Sequence, residues 1–226
     1  MRNRLYLWMM VGSVLVGSLT NTQAQTVGSW MVRIGGTQIS PDVSSGDLSP
    51  PSVPGSKIDI KNANSVSGGL TYMVTDQISL DLPLSLPFKH EIVGAGTQDG
   101  VGTVIHAKSF PVTVFAQYRF LNPTSAFRPY VGVGLTYARF YQTRSTASLS
   151  AMTGGNPTLT SIDSKFAFTP QIGFTYFFNE EWFADFMVAK TFLRTTALLK
   201  RPGQTTQAII AKLYPWTYSL GLGYKF

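Results

Sequence analysis

Asp81, Arg119 and Asp185 sit in the middle of stretches that are otherwise apolar or small, and the chemistry open to them is ion pairing. Each falls on the opposite face from the large apolar side chains of its stretch, because alternate residues of an extended strand point opposite ways. A charge so placed needs a partner on a neighbouring element. The same parity gathers Phe115, Phe140, Met187, Leu193 and Leu213 on the face that carries the charges. An enclosed surface of this kind reads as a hydrophobic lining above a polar floor. Arg33, Lys89, Gln117, Gln171 and Lys225 share that face as well. The competing reading is a plugged barrel in which the inner charges neutralise one another.

Catalytic chemistry finds little to work with. His90 and His106 flank a Gly-rich stretch, 90–107, and a His beside Asp and Ser can serve acyl transfer in a membrane enzyme. No nucleophile stands at a matching spacing, and a single rim His is an ordinary surface residue. Cysteine is absent and no His-x-His or acidic cluster occurs, so neither a metal site nor a cofactor is expected. The formal net charge of +7 comes from Lys and Arg residues scattered singly, which argues against nucleic acid as a partner.

The elements that must hold these residues are strands of alternating character. The last one is the clearest: Trp216, Tyr218, Leu220, Leu222, Tyr224 and Phe226 alternate with Thr217, Ser219, Gly221, Gly223 and Lys225. Aromatics at both ends of the apolar face, with Leu between, suit a strand whose outer face meets lipid. Similar alternation predicts strands over about 27–40, 65–74, 78–89, 110–120, 128–144, 166–178 and 182–200. In the third, Ile78, Leu80, Leu82, Leu84, Leu86 and Phe88 are expected to face lipid. In the seventh, the pattern degrades at Lys190, where a bulge would shift the register. Short turns (75–77, 122–126, 179–181) alternate with long loops (42–64, 90–107, 145–163, 201–207). Eight strands with that loop asymmetry predict an all-β fold, an eight-stranded antiparallel transmembrane β-barrel of the bacterial outer membrane. A lipocalin-like soluble binder is disfavoured, since it would turn its large side chains inward.

Residues 1–24 read as a secretory signal peptide. Arg2 and Arg4 precede an apolar run, and Thr22-Gln23-Ala24 offers small residues before a cut after Ala24. The run is too short for the ~20 residues of a spanning anchor. Its removal takes two of the 18 basic residues and leaves the barrel, 25–226, at +5. With no Cys, an exported barrel must hold together without disulfides.

Several segments together resemble the outer membrane protein W family of small barrels. They are Tyr72-Met73-Val74-Thr75-Asp76, Pro87-Phe88-Lys89-His90, the run from Phe127 to Tyr137, Asn179-Glu180-Glu181-Trp182, Tyr214-Pro215-Trp216 and Gly223-Tyr224-Lys225-Phe226. The resemblance covers nearly all of the mature chain. It implies a passive route for small hydrophobic molecules, entered from outside and emptied sideways into membrane lipid. Where the family carries a large aromatic on the lumen side of the seventh strand, this chain has Ala189, and Pro83 is a similar departure on the third. Pro87 and Pro111 fall on neighbouring strands and both lack an N–H donor, so they are candidates for a lateral gate. Tyr224 and Phe226 resemble the ending read by outer-membrane assembly machinery. The alternative is a structural barrel with a closed lumen whose outer loops contact host surfaces or phage. Gly221 and Gly223, opposite Gly132 and Gly134, are expected to leave lumen space.

Overall fold

The computed structural model describes residues 25–50, 52–152, 159–200 and 205–226, so the expected signal segment lies outside them. The described chain contains β1 (Trp30–Ser40), β2 (Ser44–Ser45), β3 (Ser56–Ile60), β4 (Ala63–Met73), β5 (Ile78–Ser85), β6 (Phe88–Gly96), β7 (Thr103–Arg119) and β8 (Phe127–Ser145). It continues through α1 (Ala147–Met152), β9 (Leu159–Ile162), β10 (Lys165–Phe177), β11 (Trp182–Lys190), β12 (Arg194–Lys200), β13 (Gln207–Lys212) and β14 (Trp216–Lys225).

Eight of these strands form the wall, in the order β1, β4, β5, β7, β8, β10, β11 and β14. β14 closes the circle on β1 from Met31 opposite Lys225 to Ser40 opposite Trp216. Closure follows from the solvent: lipid offers no partner to a free backbone edge, so the first strand must find the last. Along every wall strand a row of large apolar residues points out. Ile34, Ile172 and Leu220 are each more than 60% exposed, a surface that belongs in a bilayer. Rings mark its two edges. Trp30 with Tyr72 (4.6 Å) and Trp182 with Tyr224 (5.3 Å) lie at the end of the short turns, and Tyr137 with Phe166 (4.8 Å) and Phe192 with Tyr214 (5.6 Å) lie at the other.

The wall continues outside the membrane as a crown of strands. The stretches expected as loops at 42–64 and 90–107 hold β2, β3 and β6, with β6 paired to both β3 and the start of β7. β12 and β13 form a hairpin flanked by β9 and β2. Ile92, Val104, Ile105, Ala107, Leu149 and Leu199 make a buried cluster inside the crown. A continuous seventh strand to Lys200 is therefore corrected: β11 ends at Lys190 and β12 starts at Arg194. The chain stays tied across the break, where the Thr191 N–H donates to Pro215 O at 3.0 Å and the Leu213 N–H to Leu193 O at 2.9 Å.

The third expected strand contains a second correction. Leu86 and Pro87 are consecutive and both exposed, which inserts one residue and swaps the faces beyond it. Phe88 is 1% exposed and points inward, not to lipid, while Lys89 points outward, not to the lumen. His90 consequently faces the interior, away from His106, which is exposed.

The glycine hollows are also filled. A Cβ on Gly223 would strike the Phe183 ring, on Gly134 the Phe115 ring, on Gly132 the Gln171 amide and on Gly173 the Tyr130 ring. The small residues admit large neighbours across the lumen and do not leave it empty. At the turn end Met31, Met73, Phe177 and Phe183 pack as a buried plug. Gly223→Val is expected to overfill that plug and cost about 1–3 kcal/mol. On a gel without boiling, the variant's compact, fast-migrating band should weaken at a lower temperature than the native protein's.

Candidate functional site

Four charges meet above the apolar plug. The Arg33 guanidinium donates to both oxygens of Asp81, at 2.7 and 2.9 Å, and its Nε lies 3.7 Å from Asp185 Oδ1. Asp81 also accepts from the Thr71 hydroxyl, and Asp185 from Tyr130 (3.1 Å) and Thr175 (2.9 Å). Arg119 donates to Ser79 (2.9 Å), Gln117 (2.8 Å) and Thr175 (2.9 Å), and lies over the Tyr130 ring at 4.8 Å. Two cations thus balance two carboxylates, with strands β1, β4, β5, β7, β8, β10 and β11 each contributing a side chain. The predicted floor residues Asp81, Arg119 and Asp185 do come together. Arg33, which parity places inward without singling it out, is the hub, and Tyr130 was not foreseen as a member.

Nearer the crown the lining changes to hydroxyls. Thr113 and Thr136 are 2.8 Å apart, Thr136 and Thr169 2.6 Å, and Thr169 donates to Thr191 at 3.2 Å. Across the lumen the Thr37 hydroxyl lies 2.7 Å from that of Ser67 and 2.9 Å from that of Ser219. On β10, between Thr169 and the charged floor, Gln171 is buried with neither end of its amide bonded to the described protein. Small β-branched hydroxyl residues are common on any strand, so only the register shows that these form a partial girdle.

The girdle runs round a cavity of about 180 Å³ that continues into the crown, and Phe115, Phe140, Met187, Leu193 and Leu213 all line it. It exceeds the ~150 Å³ that suffices for a benzene-sized guest in an apolar core. Ala189 lies on the same wall, packed with Phe115 and Met187. His90 is the one titratable side chain among the buried polar residues here, with Nε2 2.9 Å from the Ser109 hydroxyl. It sits in the crown, outside the spanning segments. Burial pushes its imidazole down to about 4, against a weaker upward pull from the Lys61 backbone.

The wall beside this cavity is interrupted. β5 pairs with β7 only from Ile78 opposite Tyr118 to Asp81 opposite Phe115, and pairing resumes at Phe88 opposite Ser109 on β6. Residues 82–87 therefore face 110–114 without a ladder. N–H groups alternate sides along a strand. The Leu86 N–H is given to Val66 of β4, which turns the nitrogen of Pro83 toward the gap. The Arg119 N–H is given to Gln77 on the β5 side, which turns that of Pro111 the same way. Two donors that would be orphaned in lipid are simply missing, one on each side. Pro83, Leu84 and Pro111 border both gap and cavity, while Pro87 lies exposed on the outer rim. Pro83 was expected only as a lumen residue. Tyr224 and Phe226 stand far from all of this, on the lipid face at the turn end, with rings 5.1 Å apart.

The OmpW family model matches residues 26–226. The chain belongs to the OmpW family. Outer membrane protein W of Vibrio cholerae is 31% identical over 90% of this chain and 91% of its own length. The crystal structure of OprG from Pseudomonas aeruginosa superposes with a TM-score of 0.83 at 26% identity, covering 91% of this chain and 99% of that one. A more distant relative from Pseudomonas aeruginosa, 27% identical over 87% of this chain and 88% of its own length, is named dibenzothiophene metabolism operon protein PahQ. This OmpW-family protein is an outer-membrane β-barrel of a Gram-negative bacterium, seated in membrane lipid.

Two outcomes check the site. Asp81→Leu leaves the Arg33 guanidinium buried without its main partner and is expected to cost about 3–5 kcal/mol, most of it recovered in Arg33→Met/Asp81→Leu. Urea unfolding midpoints of the two variants in detergent measure this. His90 has a lowered folded-state value, so only the unfolded chain takes up its proton as pH falls from 6.5 toward 4. Stability should drop over that window by at most about 1.4 kcal/mol per unit. A His90→Gln barrel should lose correspondingly less between pH 7 and 4.

Proposed function

We propose that the protein is a passive channel for small hydrophobic molecules, which enter the apolar cavity from outside and leave sideways between β5 and β7. The unpaired stretch of wall at cavity height, residues 82–87 against 110–114, carries this reading. The way down through the barrel leads past buried charges and then a packed Met and Phe plug, where an apolar solute would gain nothing. The way sideways keeps it in apolar surroundings throughout, at about 25 cal/mol for each Å² that stays out of water. Ala189 supports an open bore, since a larger side chain there would project into the cavity. The relative named for a dibenzothiophene metabolism operon supports flat aromatic solutes as one class of cargo. Residues 1–24 serve in this reading as the export signal, and Tyr224 and Phe226 as the ending that assembly machinery reads.

A structural or interaction role without transport is favoured by the floor, whose four charges all have partners. Uptake separates the two. In liposomes, transfer of a labelled aromatic hydrocarbon from medium to bilayer should be accelerated by the native barrel. Ala189→Trp should abolish that acceleration by filling the cavity, and Pro83→Val/Pro87→Val/Pro111→Val should reduce it severalfold by letting the ladder close. Undiminished transfer by the proline variant removes the lateral exit; no acceleration by the native barrel removes transport altogether.

A further inference from the structure

The outward face of the barrel changes character where the crown begins. On β7 the outward residue after Phe110 is Lys108, and on β8 the outward residue after Tyr137 is Arg139. Lys89 stands opposite Lys108, and Arg144 opposite His106. That Lys89, Lys108 and Arg139 face out follows from their neighbours, since Phe88, His90, Ala107, Ser109 and Ala138 are all buried, and Arg144 is exposed opposite the exposed His106. Like charges directly across a ladder repel. Among the described residues none of Lys89, Lys108, Arg139 and Arg144 is in an ion pair, and the nearby carboxylates are taken by other lysines, Glu91 by Lys61 at 3.0 Å and Asp163 by Lys165 at 3.6 Å. The far side of the barrel repeats the device on a smaller scale, with Arg194 opposite Lys212 just beyond Phe192 and Tyr214. Between these arcs, β1 and β4 carry neutral pairs at the same level, Gln38 with Asn64 (3.0 Å) and Ser40 with Asn62 (2.9 Å).

We propose that Lys89, Lys108, Arg139 and Arg144 form a binding site for the phosphates of the anionic glycolipid that makes up the outer leaflet. Aromatic residues mark headgroup depth. The basic residues begin two positions further out, about 6–7 Å along a strand, where phosphate groups lie. Two lysines facing one another with no carboxylate between them repel in isolation and attract a shared dianion, and Arg139 is placed to take a phosphate oxygen pair. The Lys89 and Lys108 rung is also the second above the gap in the wall, so a lipid held there fences its outer edge. The site does not depend on transport, since it needs only the charges and their depth.

Native mass spectrometry of the barrel reconstituted with lipopolysaccharide tests it. The native protein should retain lipopolysaccharide, and retention should fall about fivefold for each charge removed across K89Q, K108Q, R139Q and R144Q. Lys57→Gln/Lys200→Gln, which removes two crown lysines elsewhere, should retain as much as the native protein. Dephosphorylated lipopolysaccharide should be held no better by the native barrel than by the fourfold variant. Should the fourfold variant fail to give the compact band on a gel, K89Q/K108Q alone carries the same test. Unchanged retention by a folded variant, or equal retention of the dephosphorylated lipid, overturns the proposal. Capture on a sulfated polysaccharide without lipopolysaccharide retention overturns it as well.

Discussion

Every backbone N–H and C=O in the hydrocarbon layer must be satisfied from within the protein, and the rest of this structure answers to that demand. It is why β14 returns to β1 over ten paired positions, from Met31 to Ser40. It also sets what can be spared. A wall of this kind opens most easily where donors have been removed, and Pro83 and Pro111 remove one on each side of one seam. The two remaining neighbours of the seam, β4 and β8, stay fully laddered to it, so the barrel keeps its shape while one joint is left undone.

Closure creates an interior, and the interior is graded. Apolar Met and Phe side chains fill the periplasmic end, four charges with their hydroxyl and amide partners lie above them, a partial girdle of Thr and Ser follows, and an apolar cavity opens under the crown. The order has an energetic logic. Buried charges are tolerable only as a satisfied set, and Arg33, reaching Asp81 and Asp185 at once, ties three strands into that set. Hydroxyls bonded to one another leave few polar groups free, so the girdle can line the same cavity as Phe115 and Met187.

Much of this was legible in the alternation. Period two located eight wall strands, their outward faces and the inward placing of Phe115, Phe140, Met187, Leu193 and Leu213, because each of those facts depends only on parity along one strand. What parity cannot reach is pairing. Nothing in the order of residues says that Arg33 bonds Asp81, or that Thr113, Thr136 and Thr169 stand in line on three strands, since both depend on register between segments distant in sequence. The crown reads as loop in the sequence for a related reason: β2, β3 and β9 are short, each carries Ser, and they acquire strand form only by pairing with longer partners. The glycines misled through their neighbours, as a residue without a side chain marks room that a ring elsewhere has claimed.

The one failure of parity itself is the most informative. Leu86 and Pro87 break an alternation that the leucines before them and Phe88 after them seem in sequence to continue without interruption. The extra residue moves Phe88 into the interior beside Ile39 and Ala63, brings His90 to Ser109, and turns Lys89 outward to meet Lys108. It also makes six residues span a distance that five cover on β7, so the two strands cannot be in register on both sides and must part between. The seam, the cavity's upper lining and the basic face above them are thus three consequences of a single inserted position. Regular pairing would have delivered none of them, because a ladder continued in register from Asp81 would have set Phe88 against lipid and closed the wall.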